Sequence, residues 1–181
     1  MTTCTQVFKA REHLPAISNS VWSISSGVVK TYTVTPQSKT IILGFWGDED
    51  IVGQSLSTTR PYLIECITDV EATSIPIEPS SQICLATIDR GRQTKQLMYI
   101  VRLPRMQQRL WLLLDSLANR FGYMVKQGKL IDLRLTHQEL ADTIGTSRIT
   151  VTKLLNSFER ASLISRYRNK TIILHNRGFS S

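Results

Sequence analysis

The chain is poor in the residues that carry most catalytic and metal-site chemistry. Its 181 residues include three cysteines, Cys4, Cys66 and Cys84, and three histidines, His13, His137 and His175. The cysteines are odd in number and widely separated, so there is no paired spacing for zinc or an iron–sulfur cluster and no disulfide framework. Cys66 and Cys84 are expected to be isolated buried thiols in a reducing compartment. The histidines have no sequence context for a nucleophile–base pair, so no enzyme, metal site or cofactor is expected. No run approaches the roughly 18 apolar residues of a membrane span, and the N-terminus lacks a signal peptide's basic-then-apolar order. The expectation is a soluble protein that stays where it is made. Repeats and low-complexity segments are also absent.

Acidic residues are scarce in one half only. Residues 1–100 hold 8 Lys/Arg and 9 Asp/Glu, a net charge of −1. Residues 101–181 hold 14 Lys/Arg and 5 Asp/Glu, a net charge of +9. A basic surface kept only for solubility would be spread over both halves, whereas a surface that neutralises phosphates is concentrated.

The basic half contains the most informative stretch, Leu135 to Phe158. Thr136 followed three residues later by Glu139 is a capping box, and Leu140, Ala141 and Ile144 form an apolar stripe at helical spacing. Gly145 ends that helix where a left-handed residue is needed. Thr146 or Ser147 can cap a second helix, whose buried face is Val151, Leu154, Leu155 and Phe158. Its opposite face offers Arg148, Ile149, Thr152 and Lys153, with Thr150 at the edge. Two short helices at a tight turn, the second exposing cations, hydroxyls and one apolar side chain near its start, suit the major groove of DNA. An ordinary helical hairpin in a core would share the caps and the stripe. The residues beyond Phe158 favour DNA: two β-prone runs, Leu163-Ile164 and Thr171 to Leu174, flank a basic turn containing Arg166, Arg168 and Lys170, the pattern of a wing that touches a phosphate backbone.

The rest of the chain divides in two. Residues 1–20 are polar and weakly periodic, and their start reads as disordered. Between Val21 and Ile77, β-prone runs alternate with turn residues, predicting an antiparallel meander that closes into a small barrel or roll. Ile83 to Leu103 predicts an amphipathic helix beginning around Asp89 and closed by Pro104. Met106 to Phe121 predicts a second helix burying Leu110, Trp111, Leu113, Leu114, Leu117 and Phe121 and ending at Gly122. Lys126 to Arg134 reads as a polar loop leading into a short strand.

A β-roll, a linking helix and a winged helix-turn-helix, in that order, resemble the Crp/Fnr superfamily of transcription regulators. The resemblance is most specific in Thr136-His137-Gln138-Glu139-Leu140-Ala141 and in Gly145 to Leu155. Ile149, the run Thr150-Val151-Thr152 and the strand Lys170 to His175 place it nearest the global nitrogen regulators of cyanobacteria and their plastid-encoded relatives. The fold class expected is α+β: a truncated N-terminal antiparallel β-roll of the cyclic-nucleotide-binding kind (1–88), a short dimerisation helix (89–104) and a C-terminal winged helix-turn-helix (105–181). Compared with the family's usual chain, the first part of the roll, part of the loop before Arg60 and the helix before the dimer helix look missing, with Pro79 to Asp89 too short to hold that helix.

The resemblance implies a homodimer binding palindromic double-stranded DNA in the bacterial cytoplasm or the plastid stroma, with RNA polymerase as a further candidate partner. Arg148, Ile149 and Lys153 would read bases, and Gln138, Ser147, Thr150, Thr152, Arg168 and Lys170 would hold the backbone. Arg148 suits guanine O6 and N7 and Ile149 a thymine methyl, giving a GTA-like half-site. In the nitrogen regulators the effector is 2-oxoglutarate, and Arg60 and Arg90 stand at matching positions, although Lys95 replaces an acidic partner. Gln54 and Pro61 replace the residues that cyclic-nucleotide sensors use, so cyclic AMP is disfavoured. The competing reading is a small-molecule sensor or protein-interaction module whose winged helix does not read DNA.

Overall fold

The computed structural model describes residues 4–78, 81–167 and 171–175. The chain forms two compact units, Met1–Gln96 and Leu97–Ser181.

In the first unit, the strands β1 (Cys4–Phe8), β2 (Ser20–Ser26), β5 (Ile51–Val52) and β7 (Val70–Pro76) form one antiparallel sheet in the order β1-β7-β2-β5. The strands β3 (Val29–Val34), β4 (Thr40–Trp46) and β6 (Leu63–Cys66) form a second, in the order β4-β3-β6. This is the expected roll. Its core gathers Trp22, Ile24, Val29, Trp46, Ile64 and Val70. The two indoles also find hydrogen-bond acceptors, Trp22 Nε1 donating to the Pro15 carbonyl (2.9 Å) and Trp46 Nε1 to Thr31 Oγ1 (2.8 Å).

From Cys4 onward the polar N-terminal stretch forms a strand, and residues 1–3 of the expected disordered start lie outside the described residues. β1 pairs with β7 from Cys4↔Ser74 to Phe8↔Val70, and buried Phe8 meets Trp22 edge to face at 5.4 Å. Residues 11–14 then run beside β6, where the Arg11 N–H donates to the Cys66 carbonyl and the Leu14 N–H to the Ile64 carbonyl.

Helix α1 (Ser81–Arg102) starts well before Asp89. At about 1.5 Å per residue its 22 residues extend roughly 33 Å, half as long again as the expected segment. Asp89 resembles a first-turn acid, but its carboxylate pairs with Arg92 one turn later, at 2.7 Å. Nothing in Ser81 to Ile88 breaks a helix, and the Thr87 hydroxyl bonds back to the Ile83 carbonyl (2.7 Å).

In the second unit, α2 (Met106–Phe121) buries Leu110, Leu113, Leu114, Leu117 and Ala118. Trp111 and Phe121 of the expected stripe are only half-buried. The expected polar loop is a hairpin of β8 (Gly122–Val125) and β9 (Gly128–Ile131). Gly122 leaves α2 directly into this strand, and a Cβ there would lie 2.5 Å from the Ala118 carbonyl oxygen. After α3 (His137–Ile144) and α4 (Arg148–Arg160), β10 (Ile164–Arg166) and β11 (Ile172–His175) complete a sheet in the order β10-β11-β9-β8. Among the described residues no helix is long and apolar enough to cross a membrane, and no group of three or more metal-binding side chains occurs.

Candidate nucleic-acid interface

Local chemistry positions the two helices. The Thr136 side chain accepts from the Glu139 N–H (3.1 Å), and the Glu139 carboxylate accepts from the Thr136 N–H (2.7 Å), completing the capping box. Gly145 adopts the left-handed conformation (φ 74°) and its N–H closes on the Ala141 carbonyl. Of the two expected caps, Ser147 is the one used, accepting from the Thr150 N–H at 3.1 Å. Behind the turn, Leu140, Ala141, Ile144, Val151, Leu155 and Phe158 are each 1% exposed or less. Trp111 of α2 meets Phe158 edge to face at 5.7 Å. The position of α4 is therefore fixed by packing against α2 and α3.

This packing leaves Arg148, Ile149 and Lys153 exposed, Ile149 to 68%. With Thr152 they lie within an arc of about 140° at 100° per residue, so they form one outward face. The other expected contacts have bonds within the chain. Gln138 donates to Asp142 (2.7 Å), and the Ser147 and Thr150 hydroxyls bond each other (2.9 Å). The Thr152 hydroxyl donates to the Arg148 carbonyl (2.9 Å) and lies 2.8 Å from His137 Nδ1. Arg168 and Lys170 lie outside the described residues.

Beside this face opens a concavity of about 800 Å³, lined in part by His137, Gln138, Arg148, Arg166, Tyr167 and Ile172. Arg166 is held there by Glu159 (2.6 Å) and Asn156 (2.7 Å), tying the wing to α4. The guanidinium bonded to Glu159 keeps that carboxyl below its usual range. Two residues here were not singled out from the sequence. Tyr167, 52% exposed, is an aromatic inside a basic turn, and that context was the available signal. Arg109 donates from Nε to the Leu103 carbonyl (2.6 Å) and from Nη1 to the Ile144 carbonyl (3.2 Å), satisfying acceptors left at two helix ends, and nothing local in the sequence marks that role.

In the first unit, Arg60 is exposed and donates to the carbonyls of Ser57 (2.6 Å) and Thr59 (2.8 Å). Arg90 is placed differently. Its guanidinium lies 4.2 Å from the Trp46 ring and donates to the Ile51 carbonyl (3.2 Å) and the Tyr62 hydroxyl (2.9 Å). Next to it, Gln93 donates to buried Asp50 (3.1 Å). Cys66 is buried as expected, which pushes its thiol up to about 12 with help from Glu12, Glu65 and Asp69. Cys84 corrects the expectation: it is exposed, because its side of α1 is not covered by the roll.

Known proteins show the same organisation. The Crp-like helix-turn-helix domain family matches residues 108–178. Regulatory protein CysR of Synechococcus elongatus is 36% identical over 167 residues, covering 91% of this chain and 80% of that protein. The global nitrogen regulator of Synechocystis is 30% identical over 172 residues, covering 86% and 76%. A transcriptional regulator of the CRP/FNR family from Thermus thermophilus has a similar fold, with TM-score 0.77, 21% identity and coverage of 95% and 93%. With a roll, a long helix and a capped, winged helix-turn-helix in this order, the chain belongs to the Crp/Fnr family of transcription regulators.

Proposed function

We propose that the chain acts as a homodimer paired along α1, with each α4 in a major groove of a palindromic site and half-sites one helical turn apart. Arg148 donates to guanine O6 and N7, Ile149 packs on a thymine methyl, and Lys153 reaches a base or a phosphate, so the half-site is GTA-like. Gln138, Ser147 and Thr150, together with Arg168 and Lys170 of the wing, hold the phosphate backbone. One observation carries this reading. A helix backed by six side chains that are 1% exposed or less presents Arg148, Ile149 and Lys153 outward from the basic half of the chain. The relative called a global nitrogen regulator supports a nitrogen-linked role.

Selection of bound duplexes from a random pool tests the reading. A two-fold symmetric GTA-containing consensus is expected, and Arg148→Ala should lose the preference for it over scrambled duplex. Equal discrimination by both proteins would overturn the assignment of α4 as reader and favour an interaction module. An effector-gated version has 2-oxoglutarate held by Arg60 and by the N–H groups of Arg90 that are not donated to Ile51 and Tyr62. Repeating the selection with 2-oxoglutarate separates gated from constitutive binding.

A further inference from the structure

The reading of α4 depends on where its first turn points, and the first turn carries a hydrogen-bond chain that crosses between helices. The Thr152 hydroxyl lies 2.9 Å from the Arg148 carbonyl oxygen, which can only accept, and 2.8 Å from His137 Nδ1 in the first turn of α3. A hydroxyl has one proton. With that proton on the Arg148 carbonyl, Thr152 Oγ1 must accept from His137, so Nδ1 of the imidazole carries hydrogen. Both the neutral Nδ1–H tautomer and the imidazolium meet this requirement.

Threonines that bond the carbonyl four residues back are ordinary in this chain. Thr87, Thr94 and Thr143 do the same within their own helices. Thr152 differs in receiving a second bond from another helix, 15 residues earlier in sequence. The chain His137–Thr152–Arg148 therefore joins the start of α3 to the backbone of the residue that faces the guanine edge. It also uses the only proton with which Thr152 could donate to a phosphate.

We propose that Thr152 and His137 are positioning residues that fix the first turn of α4 and thereby aim Arg148, with Thr152 acting through this link and not on the DNA backbone. The proposal rests on Arg148 reading a base. A phosphate contact weakens binding to every duplex alike, whereas a misaimed reader weakens only the cognate complex.

The test compares the full chain with Thr152→Val, Thr152→Ser and His137→Phe, measured by fluorescence anisotropy on the selected duplex and a scrambled one at fixed salt. Loss of one such bond is expected to lower cognate affinity about three- to tenfold and leave scrambled affinity unchanged. Thr152→Ser should restore selectivity, with its hydroxyl in the same place. In an Arg148→Ala background, Thr152→Val should cost nothing further, because no reader remains to be aimed. Equal losses on both duplexes, no loss, or an undiminished loss without Arg148 would overturn the positioning role while leaving the reader assignment standing. Unchanged selectivity in Arg148→Ala itself would remove both together. Thr152→Ser keeps the hydroxyl and most of the side-chain volume, so it gives a result even if Thr152→Val folds poorly.

Discussion

Replacing Ile149 with alanine isolates the apolar part of recognition. Ile149 is 68% exposed, so its truncation removes little packing from the folded chain. Burying a whole isoleucine side chain contributes about 1.5–3 kcal/mol, and two-thirds of that, about 1–2 kcal/mol, remains to be gained here. A thymine methyl covers one side only, roughly half of what is exposed, which leaves about 0.5–1 kcal/mol. Ile149→Ala should therefore weaken binding to the thymine-containing half-site about two- to fivefold while thermal stability holds or rises slightly, alanine being the better helix former. The control is deoxyuridine, which differs from thymidine at this position only by the methyl. The unaltered chain should lose the same two- to fivefold on the uridine duplex, and the variant should bind both duplexes alike. If Ile149→Ala costs as much on uridine as on thymine, the side chain does not touch that methyl, and the basis for a T in the half-site fails.

Arg90→Met should destabilise the first unit by roughly 2 kcal/mol in urea denaturation, since two charged hydrogen bonds and a cation–π contact with Trp46 are lost, whereas Arg60→Ala, on an exposed loop, should cost under about 1 kcal/mol. Gly91→Ala should raise stability by about 0.5–1 kcal/mol, or about 2–3 °C in Tm, because a Cβ at this point of α1 meets nothing of the chain within 4 Å. If sedimentation shows the dimer weakening in the same variant, the bare backbone at Gly91 lies in the pairing seam. Cys84 should react with a maleimide in the native protein and Cys66 only after unfolding, as mass spectrometry of labelled peptides would reveal. Glu159 has a folded pKa below its ordinary value, so its contribution to stability is full above about pH 4.5 and is lost as pH falls through the folded pKa. Screening at this exposed pair limits the effect to about 0.5 kcal/mol, and Glu159→Gln should flatten that part of the acid titration.

What could be read from the sequence depended on how far apart the deciding residues lie. The helix-turn-helix was legible because its determinants are local: Thr136 and Glu139 are three apart, Gly145 acts on its own backbone, and Val151, Leu155 and Phe158 follow the helical period. β1 was not. Only Phe8 of Thr5 to Phe8 turns inward, and its partner strand lies more than 60 residues away. The sequence pattern puts the start of α1 too late because Asp89 imitates an N-terminal acid while pairing with Arg92 inside the helix. The β8–β9 hairpin was hidden by glycines with a steric role. At Gly128 (φ 151°) a Cβ would collide with the Leu174 carbonyl of the adjacent strand, a constraint invisible without that strand.

The same distinction runs through the site. That Arg148, Ile149 and Lys153 face outward follows from the period of α4 alone, so the sequence names them as a group. The cross-element bonds of Thr152 and Arg166 do not follow from that period, because Thr152 meets His137 on α3, and Arg166, in β10, bonds Glu159 and Asn156, seven and ten residues back in α4. Two kinds of substitution on one helix should therefore separate cleanly. Val151→Ala, Leu155→Ala and Phe158→Ala remove side chains that are 1% exposed or less, and should cost about 2–5 kcal/mol of stability. Wherever the protein still folds, the preference for its own half-site should be intact. Substitutions at Arg148, Ile149 and Lys153 should do the reverse. A core substitution that changed the preferred bases without unfolding the chain would mean that the packing behind α4 takes part in choosing the sequence, and that the outward face is not sufficient to specify it.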